Sequence, residues 1–159
     1  MYRLLANPEY IEPLREEVDA VIKKDGWTKA GIDKMHKIDS FIRETQRVDG
    51  LAHCSFDPLL LSSKYELLIC APIYSVPAGR LAMRPFTFSN GVTVPAGTLV
   101  SVPANAIQTD ERIYSDPDGF DGFRFAKLRE SEGDTVTGRY QTTSTSGEHF
   151  PFGLGRHTW

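Results

Sequence analysis

The sequence lacks the features that mark membrane-spanning, disulfide-bonded and nucleic-acid-binding proteins. No segment holds the 18 or more consecutive apolar residues that a membrane-spanning helix requires. The two cysteines, Cys54 and Cys70, have no paired spacing, so the sequence predicts no disulfide framework and a reducing compartment. The net charge of −3 gives no support to nucleic-acid binding, which favours basic faces. What is present, 40% hydrophobic and 25% charged residues, is typical of a soluble domain.

The N-terminal residues and the scattered histidines predict neither a targeting signal nor a metal centre. The apolar run after Met1 is short and ends at Pro8, which argues against a signal peptide, so we expect a soluble, cytoplasmic chain. Four residues could be imagined as zinc ligands, but no C-x-x-C or H-x-x-x-H spacing relates them: His36, His53, Cys54 and Cys70.

Hydrophobic periodicity predicts an α+β protein whose helices come first. Asn7 and Pro8 suit the start of a helix that ends near Gly26, with Pro13 either kinking it or shifting its start. The buried face of this helix is predicted to comprise Ile11, Leu14, Val18, Val21 and Ile22.

After residue 80 the period changes to two and predicts a small antiparallel sheet. Asn90-Gly91 predicts a hairpin turn, and a further strand is expected from Thr98 to Val102. Pro103 then opens a short helix that runs to about Asp110. Residues 127–147 are polar, and we expect them to form a mobile surface loop within a long C-terminal loop region.

A charged pair, Glu44 and Arg47, lies on the second predicted helix. The apolar face of that helix is predicted from Met35, Ile38, Phe41, Ile42 and Thr45. Glu44 and Arg47 are one turn apart on the same side, with the acid N-terminal to the base. By itself this spacing is typical of a solvated surface pair that contributes a few tenths of a kcal/mol.

An arginine among aromatic residues makes a different interpretation of Glu44 possible. Arg124 stands in a turn-rich segment that Phe120, Phe123 and Phe125 can anchor in a core. A buried arginine needs a buried acceptor, because an unpaired charge in the protein interior is costly. We therefore expect the carboxylate of Glu44 to pair with Arg124.

The sequence of residues 150–159 predicts a glycine-rich turn beside positive charge. Gly153 and Gly155 allow a tight bend, and Arg156 and His157 would attract an anionic group. A phosphate-binding loop is the alternative, but neither a helix nor a lysine follows the glycines. His149 is expected to be a solvated loop residue, and His157 a frayed terminal residue unless it binds an anion.

Together and in this order, the motifs resemble the C-terminal part of a cytochrome P-450 of the fungal microsomal type. The resemblance implies a partial cytochrome P-450 fold across 1–159, in which a structural triad joins the acid of the Glu-x-x-Arg motif to two arginines. It also implies a loop that leads to the haem-ligand cysteine. The triad residues are Glu44, Arg47 and Arg124; the haem-binding residues are Arg80, Phe152, Gly153, Gly155 and His157.

Two departures from the family pattern bear on chemistry. The family has a short connection where this chain has about residues 51–79, which we interpret as unspliced intron sequence or a surface insertion. The family's axial cysteine should fall at Trp159, and an indole cannot coordinate iron as a thiolate does. We therefore predict no metal ligand and no catalytic residue in this chain.

The resemblance leaves two functions open. The first is a haem-dependent monooxygenase that hydroxylates a small apolar substrate, takes electrons from a reductase and, when intact, is anchored in the endoplasmic reticulum membrane by an N-terminal segment. The second is a truncated, non-catalytic product that binds no haem specifically. We expect the family to be haem-dependent monooxygenases and this chain alone to behave as the truncated, non-catalytic product.

Overall fold

A computed structural model describes residues 2–49, 78–133 and 138–151. These ranges contain helices and short antiparallel strands, which confirms the α+β prediction. Most of the predicted insertion at about 51–79 lies outside the described residues. The elements, in chain order, are α1 (Tyr2–Ala6), a 3-10 helix (Pro8–Tyr10), α2 (Ile11–Asp25), α3 (Lys29–Ile32), α4 (His36–Asp49), β1 (Ala78–Leu81), β2 (Phe86–Thr87), β3 (Thr93–Val94), β4 (Leu99–Val102), α5 (Ala104–Gln108) and α6 (Arg124–Glu132).

The described residues fall into two compact units. The first unit takes its residues from 1–48 and 116–144, so it joins α1 to α4 with α6. The second unit takes its residues from 49–115 and 145–159 and contains the strands and α5.

Helix α2 of the first unit ends as the sequence predicts but buries less than expected. Gly26 follows its last residue with a φ of 66°, which glycine adopts without strain. Pro13 is the third residue of α2, where no intrahelical N–H bond is lost, so it needs no kink. The predicted buried face is only half-buried, and no α2 residue is fully buried. Asn7 makes no side-chain cap and donates instead to the Arg3 carbonyl at 2.7 Å.

Helix α4 starts on a carboxylate from α2 and buries a polar face. The carboxylate of Glu17 accepts the Lys37 and Ile38 backbone N–H groups at 2.8 and 3.0 Å, which satisfies two donors of the first turn. Phe41 is buried as predicted, whereas Ile42 is 45% exposed, so the predicted apolar face is wrong at that position. The most buried residues of α4 are polar or charged, and they form the site described below.

The described residues of the second unit form two separate two-stranded antiparallel sheets. Strand β2 pairs with β3 around the predicted turn, where Gly91 has a φ of 86°. Strand β4 begins one residue later than predicted and pairs with β1, a strand that the sequence pattern did not reveal. Helix α5 ends at Gln108 rather than near Asp110.

Two predictions for the polar C-terminal part of the chain are wrong. Residues 124–132 form helix α6, which closes on Gly133 at a φ of 65°, and residues 138–144 form hydrogen bonds to α4. His149, expected in solvent, is fully buried, and its backbone N–H donates to the Ser146 hydroxyl at 3.1 Å. Within the described ranges no helix is long and apolar enough to cross a membrane.

Candidate functional site

Glu44 and Arg47 form a fully buried ion pair within helix α4. The Arg47 Nε and Nη2 atoms each donate to one Glu44 carboxylate oxygen at 2.8 Å, which is the two-pronged geometry of the strongest guanidinium–carboxylate pairs. Both side chains have no exposed surface. The interpretation as a solvated surface pair is therefore wrong.

Arg124 brings a second guanidinium to the same carboxylate. Its Nε donates to Glu44 Oε1 at 3.1 Å, although the two residues are 80 positions apart in the sequence. The backbone N–H of Asp121 also donates to this oxygen, at 3.2 Å. One carboxylate thus fixes both α4 and the segment that leads into α6.

Backbone carbonyls accept further hydrogen bonds from the two guanidinium groups. Arg47 donates to the carbonyls of Pro117 at 2.7 Å and Gly119 at 3.0 Å. Arg124 donates to the carbonyls of Asp116 at 2.9 Å and Gly119 at 3.0 Å. Because two positive charges face one negative charge away from water, these carbonyl dipoles are needed to offset the cost of burying the second cation.

Asp116 adopts an uncommon backbone conformation at the edge of this cluster. Its φ of 50° lies in the left-handed region, which aspartate tolerates better than most residues with a side chain. The carbonyl held in this conformation is the one that accepts from Arg124 Nη2.

Ser40 connects α4 to the start of α6. Its hydroxyl donates to the Gly122 carbonyl at 3.0 Å and accepts the backbone N–H groups of Phe125 and Ala126 at 3.1 and 3.0 Å. Phe123, at the N-cap position of α6, provides no side-chain cap. Ser40 therefore caps α6 from another helix and does the work that a serine at the N-cap normally does.

Aromatic rings pack beside the ion cluster. The ring centroid of Tyr10 lies 5.5 Å from that of Phe41 and 4.9 Å from that of Phe123, and Phe41 lies 5.4 Å from Phe120. These edge and tilted contacts suit the charge distribution of aromatic rings. A Cβ on Gly122 would lie 2.6 Å from Phe41 Cδ2 and 2.9 Å from Tyr10 Cε1, so a larger residue fits here only if these rings move.

The haem-binding residues expected from the sequence are only partly described. Arg80 is an exposed residue of β1 and pairs with Val100 in register. It lines a groove of about 350 Å³ together with apolar residues of the sheets, including Met83, Phe86 and Phe88. The other expected residues lie outside the described part of the chain: Phe152, Gly153, Gly155, His157 and Trp159.

The sequence interpretation missed the residues that extend the polar face of α4. Asp39, Ser40 and Arg43 precede Glu44 and Arg47 at helical spacing, and they bind residues 122–144. Their spacing was visible in the sequence, but a polar stripe on a helix is typical of a solvated face. Their partners lie 82 to 103 positions away, which no local pattern indicates.

No metal centre is seen in the described residues. Within 2–49, 78–133 and 138–151, no three side chains of histidine, cysteine, aspartate or glutamate are grouped as metal ligands would be. The Glu44 cluster consists of ion pairs and of hydrogen bonds to backbone carbonyls.

Comparison with known proteins identifies the family. Residues 1–56 and 64–158 match the model of the family described as Cytochrome P-450. The chain is 40% identical over 157 residues to cytochrome P-450 monooxygenase 151 of Postia placenta, which covers 99% of this chain and 27% of the relative. It is 41% identical over 159 residues to cytochrome P-450 monooxygenase ltmQ of Epichloe festucae var. lolii, which covers 99% of this chain and 25% of the relative.

A third relative, cytochrome P-450 monooxygenase janQ of Penicillium janthinellum, is 38% identical over 159 residues, with 27% of its length covered. The chain thus spans about a quarter of the length of the curated relatives it matches. The match of the family model over nearly the whole chain agrees with the resemblance seen in the Glu44 and Arg124 motifs. The chain belongs to the cytochrome P-450 family.

Proposed function

We propose that this chain is the part of a haem-dependent monooxygenase in which Glu44 fastens the segment around Arg124 to helix α4. The observation that carries the proposal is one fully buried carboxylate bound to two guanidinium groups. The cluster acts by positioning: its donors and acceptors are used within the protein, and it holds residues 116–124 in one conformation.

The proposed activity belongs to a longer protein, because this chain spans about a quarter of its relatives. That protein would insert one oxygen atom of O₂ into a small apolar substrate, using electrons from a reductase, at the endoplasmic reticulum membrane. Haem would supply the oxygen chemistry there. The contribution of this chain is the folded frame around the Glu44 cluster.

The donor set of this chain does not fit a thiolate-bound haem. Trp159 stands at the position of the expected cysteine, and its indole N–H can donate but not coordinate iron. The sequence has no cysteine in the ranges 2–49, 78–133 and 138–151. The guanidinium of Arg80 is exposed and could receive a haem carboxylate, but no oxygen-activating step follows from a chain without the sulfur ligand.

A second candidate function is a non-catalytic chain that binds no haem specifically, and Trp159 is the observation that favours it. A carbon monoxide spectrum of this chain tests the second candidate. The purified chain, mixed with haem, reduced and exposed to carbon monoxide, should show no red-shifted Soret band of the thiolate type. Such a band in the unmodified chain would contradict the second candidate.

The variant Trp159→Cys tests whether the other expected haem-binding residues hold haem once a cysteine is present at position 159. A thiolate-type band in this variant would show that the loop and Arg80 suffice to hold haem, and the added change Arg80→Ala should then weaken haem retention. Sequencing the spliced message tests the first candidate separately. A cysteine codon at position 159 would support it, and a tryptophan codon there would contradict it; the same read shows whether residues 51–79 are encoded.

A further inference from the structure

A second group of charged residues on α4 holds a separate segment, residues 138–144, which we name the strap. The strap is rich in threonine and serine and has one buried aromatic residue, Tyr140, whose ring centroid lies 6.3 Å from that of Phe125. Polar contacts to α4 therefore provide much of its attachment. None of these contacts uses Glu44, Arg47 or Arg124.

Asp39 holds the middle of the strap at two points. Its Oδ1 accepts the backbone N–H of Thr142 at 3.0 Å, and its backbone carbonyl accepts the Thr142 hydroxyl at 2.8 Å. The other carboxylate oxygen accepts Arg129 Nη2 at 3.0 Å, and Arg129 also contacts His36 Nδ1. Arg129 thus orients the carboxylate that binds Thr142.

Arg43 holds the strap one helical turn further along α4. Its Nη1 donates to the carbonyls of Gln141 and, at 3.3 Å, Ser144, while its guanidinium lies 4.8 Å from the centroid of the Phe125 ring. The guanidinium is planar and carries several donors, so one arginine can bind two carbonyls and an aromatic face together.

The strap also has an internal fold of its own. Gly138, at a φ of 63°, accepts the Gln141 N–H at 3.1 Å, and Gln141 accepts the Ser144 N–H at 3.0 Å. The Ser144 hydroxyl donates back to the Gly138 carbonyl. A short segment with its own turns, attached to α4 by polar contacts and to α6 by Tyr140 and Arg139, is the kind of element that opens as a unit.

We infer that the strap is a releasable clasp: Asp39 and Arg43 close it on α4, and it opens while the Glu44 cluster stays formed. This inference does not depend on haem binding or on the proposed monooxygenase activity.

Hydrogen exchange measured peptide by peptide on the full 159-residue chain tests the clasp. Thr142→Val removes the hydroxyl bond to Asp39 and keeps the side-chain shape, so exchange in residues 138–144 should become about 3- to 10-fold faster. Exchange in residues 116–125 should be unchanged. The neighbouring Thr143→Val is the matched control, since Thr143 is exposed, and it should leave both regions unchanged.

A second variant tests the other contact of the clasp. Arg43→Lys keeps the charge but cannot bind two carbonyls in the same way, and it should also speed exchange in the strap alone. Equal acceleration of residues 116–125 in both variants would show that the strap and the Glu44 cluster open together, which overturns the inference. Unprotected strap amides in the unmodified chain, or no change in either variant, would overturn it as well.

Discussion

Glu44 and Arg124 are joined by a buried ion pair of 3.1 Å across 80 residues of sequence. The same carboxylate already binds Arg47 on its own helix, so it links a local contact to a distant one. Removing this single carboxylate would leave two buried cations facing each other. The cluster is therefore more sensitive to loss of its acid than to loss of either base alone.

We expect Glu44→Ala to lower the free energy of unfolding by about 3–5 kcal/mol, the usual cost of breaking a buried ion pair. Urea denaturation followed by circular dichroism measures this change. The matched control is Glu12→Ala, which removes a pair of the same i,i+3 spacing whose side chains are 74% and 72% exposed. The control should change stability by less than about 0.5 kcal/mol. Equal stability of the two variants would contradict a buried cluster.

A methyl group at position 122 should destabilise the aromatic packing. In Gly122→Ala the new Cβ would lie 2.6 Å from Phe41 Cδ2, so the rings must move, at a cost of about 1–3 kcal/mol. The control is Gly147→Ala, where no atom lies within 4 Å of the added carbon. Thermal unfolding of both variants should show a lower midpoint for Gly122→Ala only. An unchanged midpoint would mean that Tyr10 and Phe41 do not pack on Gly122.

Ser40→Ala should weaken the start of helix α6. The change leaves the Phe125 and Ala126 N–H groups without their acceptor, and losing a helix cap typically costs about 1–2 kcal/mol. Hydrogen exchange of these two amides should accelerate together with the fall in stability. Ser131→Ala is the control, because the exposed Ser131 hydroxyl only donates to the Leu128 carbonyl. If Ser40→Ala behaves like Ser131→Ala, the cap from α4 is absent.

The carboxyl group of Asp110 should titrate at unusually low pH. Hydrogen bonds from the Arg112 side chain, and next from its backbone N–H, lower the pKa of Asp110 from 3.8 to about 2. Because the folded-state pKa is depressed, the stabilising contribution is complete above about pH 3.8 and is lost as the pH falls toward 2. The effect on stability should be small, since the Arg112 side chain is 88% exposed.

Arg112→Ala tests the cause of this shift. The pKa of Asp110, measured by NMR of its carboxyl carbon, should rise toward 3.8 but stay below it, because the backbone N–H of residue 112 still donates. Arg139→Ala removes another exposed arginine, one that pairs with Glu132, and should leave the titration unchanged. A pKa near 3.8 in the unmodified chain would show that the Asp110–Arg112 pair does not form.

The parts of the fold that depend on neighbouring residues could be predicted from the sequence. Gly26 ends α2 and Asn90-Gly91 turns the hairpin because glycine at these sites adopts positive φ whatever surrounds it. Strand β1 was missed because its pairing with β4 is defined by residues about 20 positions later. Helix α6 was missed because its polar sequence carries no apolar stripe, and its start is capped by Ser40 from a distant helix.

The sequence allowed the charged residues of the candidate site to be predicted, but not the backbone groups that they bind. Glu44 and Arg124 could be paired in advance because a buried arginine needs an acid. The carbonyls of Pro117 and Gly119 could not be predicted as partners of Arg47, because every residue has a carbonyl group. Only the folded backbone determines which carbonyls lie close to the guanidinium. His149 was misjudged for the same reason, because the sequence around a single histidine gives no sign of burial by distant packing.

The 80-residue separation within the Glu44 cluster has a consequence during synthesis. At typical ribosomal rates of about 5–20 residues per second, Arg124 is made roughly 4–16 s after Glu44. For that interval helix α4 exists without the segment that covers its charged face, so water must solvate Glu44 and Arg47 until their partner arrives. The nascent helix α4 thus exposes charged rather than apolar side chains during this interval. The ion cluster can form only after Arg124 has been synthesised.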